Sequence, residues 1–290
     1  MLLQIKSAWG DPPVLDGWNT SAVGWHCSWP HVGCDAAGRV VKLTIASASV
    51  KGLFPDAVGG LSALSYLDLD VSNNSMSGAF PTTVYRFASL QYLDLSQNNF
   101  SGELPTDIGH RLALNLTTLF LDINQFSGAI PADIGTLTRL QYLWLAEDSF
   151  HAGELPASFK NLSNLVSLWA SQCNLVGDFP SHVLEMSELE QLGLSNNALT
   201  GSIPPGIWRL KKLQLLFVDR TNITGEIVVH EFAAKSLIYI SISENYNLSG
   251  SIPEVFGHLE NLSSLLFFNN NFSGEIPTSI GRLPSLYTLD

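Results

Sequence analysis

From residue 40 onward, apolar residues return in one arrangement: apolar-x-x-apolar-x-apolar, then Asn, then Gly-x-apolar-Pro. LQYLDLSQNNFSGELP (90–105), LEQLGLSNNALTGSIP (189–204) and LSSLLFFNNNFSGEIP (262–277) show it most fully. Aligned on the closing proline, the units fall at 55, 81, 105, 131, 156, 180, 204, 253 and 277, with Val228 filling the one gap, so the step is 24 to 26 residues. A period of that size marks a stacked array in which each unit touches only its neighbours. Ten complete units and the opening of an eleventh, LYTLD at 286–290, cover residues 40–290.

The arrangement predicts its own elements. The last two apolar residues of each hexad are two apart, so they point inward from one short strand while the residue between them faces out. One such strand cannot bury its apolar face alone, and parallel neighbours about 4.8 Å apart close a continuous core. The Asn after the strand is placed to satisfy backbone groups in the turn; Asn74, Asn98, Asn124, Asn197, Asn245 and Asn270 hold that position, while Ala48, Asp148, Cys173 and Thr221 interrupt it. The glycine column (52, 78, 102, 128, 153, 177, 201, 225, 250, 274) is unbroken, as a bend that no side chain can follow requires. Segments such as TDIGHRL and TSIGRLP are expected to return as short helical or 3-10 turns, with insertions near Asp70, His110, His151 and Tyr246 bulging locally. This is the leucine-rich-repeat pattern, an α/β-type solenoid. Residues 1–39 lie outside it and carry Leu2, Leu3, Ile5, Trp9, Leu15, Trp18, Trp25 and Trp29, which suits an N-terminal cap over the first repeat.

Function is sought at the outward strand position, where the units differ. It reads Thr44, Asp68, Asp94, Phe120, Trp144, Trp169, Gly193, Phe217, Ser241, Leu266. Phe120, Trp144, Trp169 and Phe217 are exposed by the same pattern that buries the leucines. Four strand spacings, roughly 19 Å, match about six residues of extended peptide. Gly193 is expected to leave a notch, Tyr92, Tyr142 and Tyr239 to flank the column, and Asp122, Glu147, Asp219 and Arg220 to supply polar contacts. The competing reading is that the rings only stack on one another across strands.

Charge narrows the partners. Lys plus Arg total 14 against 26 Asp plus Glu, a net charge of −12, which disfavours nucleic acid and anionic lipid. No apolar run approaches the roughly 20 residues of a membrane span, and MLLQIKSAW lacks the form of a secretory signal, so a signal is expected to be missing from this version or never present. Cys27 and Cys34 lie close together with His26 and His31 beside them. Zinc accepts such ligands, but the cluster lacks the paired spacing of structural zinc sites, and a disulfide is the other reading. Cys173, on the Asn ladder, reads as a buried inert thiol. The seven histidines are scattered, no nucleophile elbow or phosphate-cradling loop occurs, and Glu185, Glu188 and Glu190 read as a solvated face. Neither catalysis nor a cofactor is expected. N-x-S/T acceptors stand at Asn19, Asn73, Asn99, Asn115, Asn161, Asn222, Asn247, Asn261 and Asn271, with Asn115, Asn161 and Asn261 on return segments.

The cap, LLQIKSAW…GWNTS…HCSWPHVGCD, and the NxLSGxIPxxIGxLxxL units together resemble the ectodomains of plant leucine-rich-repeat receptor kinases. LVSLWASQCNLVGDFP and IPPGIWRLKKLQ look like the HAESA-like branch, whose members sense secreted peptide hormones. The resemblance implies a right-handed superhelix with strands on the concave face, a Cys27–Cys34 disulfide, N-glycosylation, a cell-surface location, a leucine-rich-repeat co-receptor, and a membrane span and kinase outside this chain. Similar receptors dock the ligand's carboxylate on a pair of arginines from one late strand; here Arg220 stands alone in FVDRT. No cysteine-bearing C-terminal cap occurs, and the last strand is expected to fray or associate unless a continuation covers it. The rival readings are an inhibitor of cell-wall-degrading enzymes, of the polygalacturonase-inhibitor type, and a truncated non-signalling decoy.

Overall fold

The computed structural model describes residues 1–19, 26–66 and 68–290, and the chain forms two compact units, Met1–Phe150 and His151–Asp290. Trp25, assigned to the cap from sequence, lies outside the described residues, as does the side chain of Asp68.

The first unit opens on the cap. Helix Leu2–Ala8 buries Leu2 and Ile5, and Trp9, Leu15 and Trp18 are sealed beside them. Trp18 stacks on Trp29 with centroids 5.9 Å apart, and its Nε1 donates to the Pro30 carbonyl at 2.8 Å. Cys27 and Cys34 form the disulfide. Strand Val32–Cys34 runs antiparallel to Val40–Thr44, so the cap occupies the edge of the first repeat strand. Parallel strands Asp68–Asp70, Tyr92–Asp94, Thr118–Phe120 and Tyr142–Trp144 follow in order. Their register sets Leu93, Leu119 and Leu143 side by side in the core, each fully buried.

That register corrects one assignment. Asp70, not Asp68, lies between Thr44 and Asp94 in the outward column. The extra residues of this repeat precede the strand, so the hexad beginning at Leu64 is not the one that forms it.

The second unit repeats the construction with parallel strands Ser167–Trp169, Gln191–Gly193, Leu215–Phe217, Tyr239–Ser241, Ser264–Leu266 and Thr288–Leu289. Leu168, Leu192, Leu216, Ile240 and Leu265 fill the core column at 0% exposure.

The return segments are the short turns the sequence predicts. Most are 3-10 turns that begin directly after the repeat's proline, as at Thr82–Arg86, Ala132–Thr136 and Glu254–His258; Ile108–Arg111 is α-helical. The proline carbonyl accepts the N–H three residues on, as Pro131 does from Ile134 at 3.2 Å, and the donor residue buries its side chain. A second row of strands was not foreseen. Lys51–Leu53, Ser75–Gly78, Asn99–Glu103 and Gln125–Ser127 pair in the first unit, and Val176–Asp178 with Ala198–Thr200, and Thr224–Glu226 with Asn247–Gly250 and Asn271–Phe272, in the second. Nine of the ten column glycines, within or next to these strands, adopt φ between +72° and +97°. Gly153 is the exception, and its repeat has only a single bridge to Leu175 in place of a strand.

The Asn ladder ties successive repeats. Asn98 accepts from the Met76 N–H at 2.9 Å and donates to the carbonyls of Val71, Leu95 and Ser96. Asn124 repeats the pattern one unit later, so one buried amide satisfies four backbone groups. Asp148 imitates half of it. Its Oδ1 accepts from the Phe126 N–H at 2.8 Å, while its buried Oδ2, where an amide would donate, finds no partner among the described residues. Burial, with Asp122 nearby, pushes its carboxyl up to about 8.

Candidate functional site

The outward strand positions carry aromatic stacks in both units. In the first, Phe120 and Trp144 face each other with centroids 4.1 Å apart and 22° between planes, and Tyr92 meets Phe120 edge-on at 5.9 Å. Parallel register places Phe120 opposite Trp144, so the stack follows from strand pairing. Tyr142 stands beside it at 37% exposure. All three stacked rings are half-buried.

In the second unit Trp169 meets Phe217 at 5.2 Å, and Phe217 stacks on Tyr239 at 4.7 Å and 26°. Trp169 and Phe217 belong to strands separated by Gln191–Gly193. Contact is possible because the indole lies over Gly193, so the expected notch is filled. The Trp169 Nε1 donates to Gln191 Oε1 at 3.4 Å, and the same oxygen accepts from Ser167 Oγ at 3.0 Å. Tyr239, expected at the flank, extends the stack.

The polar residues divide by unit. Asp122 is only 7% exposed, and its Oδ1 has no hydrogen-bond partner among the described residues. Burial above all, with the neighbouring Asp94 and Glu147 charges, pushes its carboxyl up to about 7. Asp94 accepts from Tyr92 Oη at 3.0 Å and from Ser96 Oγ and N–H. Glu147 is exposed with φ +60°. In the second unit Asp219 Oδ1 accepts from Ser195 Oγ at 2.7 Å. Arg220, the single arginine of its segment, is engaged within the chain: its Nε donates to Glu244 Oε1 at 2.8 Å.

Of the further contributors, sequence reasoning placed Asp94 in the outward column without giving it a role and left out Gln191 and Glu244. A signal for two of them existed, since Gln191 follows Ser167, and Glu244 follows Arg220, by 24 residues, one repeat. Of the glycan acceptors, Asn19, Asn73, Asn99, Asn161, Asn222, Asn247, Asn261 and Asn271 are exposed. Asn115 is half-buried, its Oδ1 accepting from Arg139, and Asn73 Nδ2 is engaged by Ser47 Oγ. Cys173 is a buried free thiol.

Family comparisons agree with this architecture. The leucine rich repeat N-terminal domain family matches residues 1–35, and leucine rich repeat families match 39–100, 188–210 and 261–283. The chain has the leucine-rich-repeat fold. Among curated relatives of this repeat protein, polygalacturonase inhibitor 1 of Oryza sativa subsp. japonica is 42% identical over 69 residues, a match covering 23% of this chain and 20% of that protein. Among solved structures, the Arabidopsis receptor kinase HAESA, in complex with the peptide hormone IDA and the co-receptor SERK1, superposes with a TM-score of 0.86 at 31% identity, covering 100% of this chain and 52% of that one. A plant ice-binding protein superposes at 0.87 with 28% identity, covering 99% and 92%. The chain thus spans about a fifth of the curated relative and half of the receptor. Among the described residues no helix is long and apolar enough to cross a membrane.

Proposed function

We propose that this chain is the ligand-recognition module of a plant cell-surface receptor, that it takes a secreted peptide along its outward aromatic positions, and that signalling resides in a kinase outside this chain, assisted by a leucine-rich-repeat co-receptor. The observation that carries the reading is the pair of half-buried stacks, Tyr92–Phe120–Trp144 and Trp169–Phe217–Tyr239. Large rings held in place on a sheet face lose little freedom when covered, and aromatic residues are prominent among the side chains that dominate binding energy. Mutual stacking explains their orientation; it leaves unexplained why the sequence commits such rings to the solvent side. The test is binding of the secreted, glycosylated chain to a panel of synthetic plant peptide hormones by calorimetry. At least one peptide is expected to bind, with affinity reduced about 30-fold by Trp144→Ala or Trp169→Ala. Equal affinity in both variants would remove the aromatic surface from the reading.

The curated match to a polygalacturonase inhibitor favours a second reading, inhibition of a microbial cell-wall-degrading enzyme. Inhibition of pectin hydrolysis at micromolar concentration would support it, and no inhibition across several such enzymes would dispose of it.

A further inference from the structure

The repeat that lacks the closing proline builds a cavity of its own in the second unit. Elsewhere a short helical turn follows the proline, but none follows Val228. The N–H groups of Ala233 and Ala234 donate instead to the Trp208 carbonyl at 2.8 and 2.9 Å, and half-buried Phe232 leans on buried Phe256 with ring centroids 6.4 Å apart. Phe232 and Val255 supply the apolar lining of a cavity of about 580 Å³, and Lys235, His258, Glu260 and Asn261 its polar lining. All four polar residues are exposed, and among the described residues none of their side chains has a hydrogen bond or an ion pair.

Asn261 opens the sequence Asn261-Leu262-Ser263, an acceptor for N-glycosylation. Leu259 and Leu262 are fully buried, which turns Glu260 and Asn261 between them outward. Other acceptors are placed differently. Asn19, Asn73 and Asn115 hold their side-chain amides against Asp16, Ser47 and Arg139, and the cavity lined by Asn222 is built from alanines, Val176, amides and Arg220 without a ring. Asn261 thus combines a disengaged amide with an aromatic hollow beside it.

We propose that Asn261 carries an N-linked glycan and that this cavity seats the glycan's first N-acetylglucosamine. The Asn261 amide nitrogen bonds to the anomeric carbon of a lipid-diphosphate-linked oligosaccharide; the carbon–oxygen bond to the diphosphate breaks, the diphosphate leaves with the bonding pair, and the amide gives up one proton. The sugar suits the lining. One face of its ring and its acetyl methyl present C–H groups to Phe232 and Val255, while its hydroxyls and acetamide are matched by Lys235, His258 and Glu260, the mix of apolar wall and few polar groups that small-ligand sites use. Covalent attachment at the rim keeps the sugar at high effective concentration, so a weak contact suffices to hold it. Receptor and inhibitor would share this feature, since both pass through the secretory pathway, and it stands apart from the choice of ligand.

The test uses the full chain secreted from plant cells that add only high-mannose glycans, which are then trimmed enzymatically to a single N-acetylglucosamine. Glycopeptide mass spectrometry is expected to find Asn261 modified. Asn261→Gln from the same cells is expected to melt roughly 2–4 °C lower, but to change melting by less than about 1 °C in a Phe232→Leu background, where the ring that the sugar covers is gone. Leucine keeps an apolar side chain against Phe256, so the comparison reports on the sugar rather than on the fold. By NMR, one N-acetyl methyl resonance of the trimmed chain is expected at higher field, displaced by the Phe232 ring, and at its ordinary position in Phe232→Leu; this readout does not depend on Asn261→Gln folding. An unmodified Asn261, an equal melting shift in both backgrounds, or an acetyl methyl undisplaced in the wild-type chain would overturn the proposal. None of these readouts involves a hormone or a pectin-degrading enzyme, so a failed hormone panel and a failed glycan seat are told apart.

Discussion

The indole of Trp169 occupies the space above Gly193: a methyl group at Gly193 would come within 2.4 Å of Trp169 Cε3. The absent side chain is therefore what lets Trp169 cross one strand and touch Phe217. Gly193→Ala should displace the ring and break the contact. Because Trp169 is half-buried and can swing outward, the stability loss should stay within about 1–3 kcal/mol. Tryptophan fluorescence should shift to longer wavelength, and any ligand that uses Trp169 should bind more weakly. An unchanged emission spectrum would show that the indole does not rely on the glycine.

Asp148 gives stability a pH dependence of unusual sign. Its folded-state carboxyl titrates at about 8 against an ordinary 3.8, so between those values the folded chain holds a proton that the unfolded chain has released. Stability therefore falls as pH rises from about 4 to about 8 and levels off above. Asp122, titrating at about 7, acts in the same direction. Asp148→Asn, which restores the ladder amide, should reduce the slope and stabilise the chain at about pH 8 by about 1–3 kcal/mol. Urea unfolding at two pH values measures both effects.

The glycine column separates conformation from packing. Gly102 has φ +82° and nothing within 4 Å of where a Cβ would stand, whereas Gly153 lacks a positive φ and has its nearest such neighbour, His151 O, at 3.8 Å. Gly102→Ala should cost about 1–2 kcal/mol through backbone strain alone. Gly153→Ala should cost less than about 0.5 kcal/mol or stabilise slightly, because alanine narrows the unfolded ensemble. Similar losses in denaturant unfolding of the two variants would contradict the conformational account.

Asn124→Ala removes one accepted and three donated hydrogen bonds from a site with 8% exposure. Unmatched backbone groups there should cost about 3 kcal/mol or more, with faster amide exchange at Phe100, whose N–H the Asn124 side chain accepts. Protection of Phe100 equal to wild type would mean that water replaces the amide.

The cap disulfide closes a short loop, with seven residues of sequence separation. Chain entropy for such a loop gives about 2.5 kcal/mol, so Cys27→Ser with Cys34→Ser should lower stability by about that amount while leaving the later repeats folded. Circular dichroism with urea unfolding resolves the two contributions.

The repeat was legible because each unit solves the same local problem. Leu93 and Leu95 point inward wherever the strand lies, the ladder amides meet the same carbonyls each time, and a proline starts each return turn, so period and residue type sufficed to place strands, core, turns and the outward aromatic column. What the sequence could not place were relations across units. Asp70 rather than Asp68 enters the column because strand pairing, not the nearest hexad of leucines, fixes register. Trp169 fills the space over Gly193 because an indole is long enough to cross a strand, Arg220 finds Glu244 one repeat onward, and Asp122 ends with an unmatched oxygen through the packing around it. Periodicity determines where each side chain starts and which face it takes; only the folded stack decides where its far end comes to rest, because that depends on residues about 24 positions away competing for the same space.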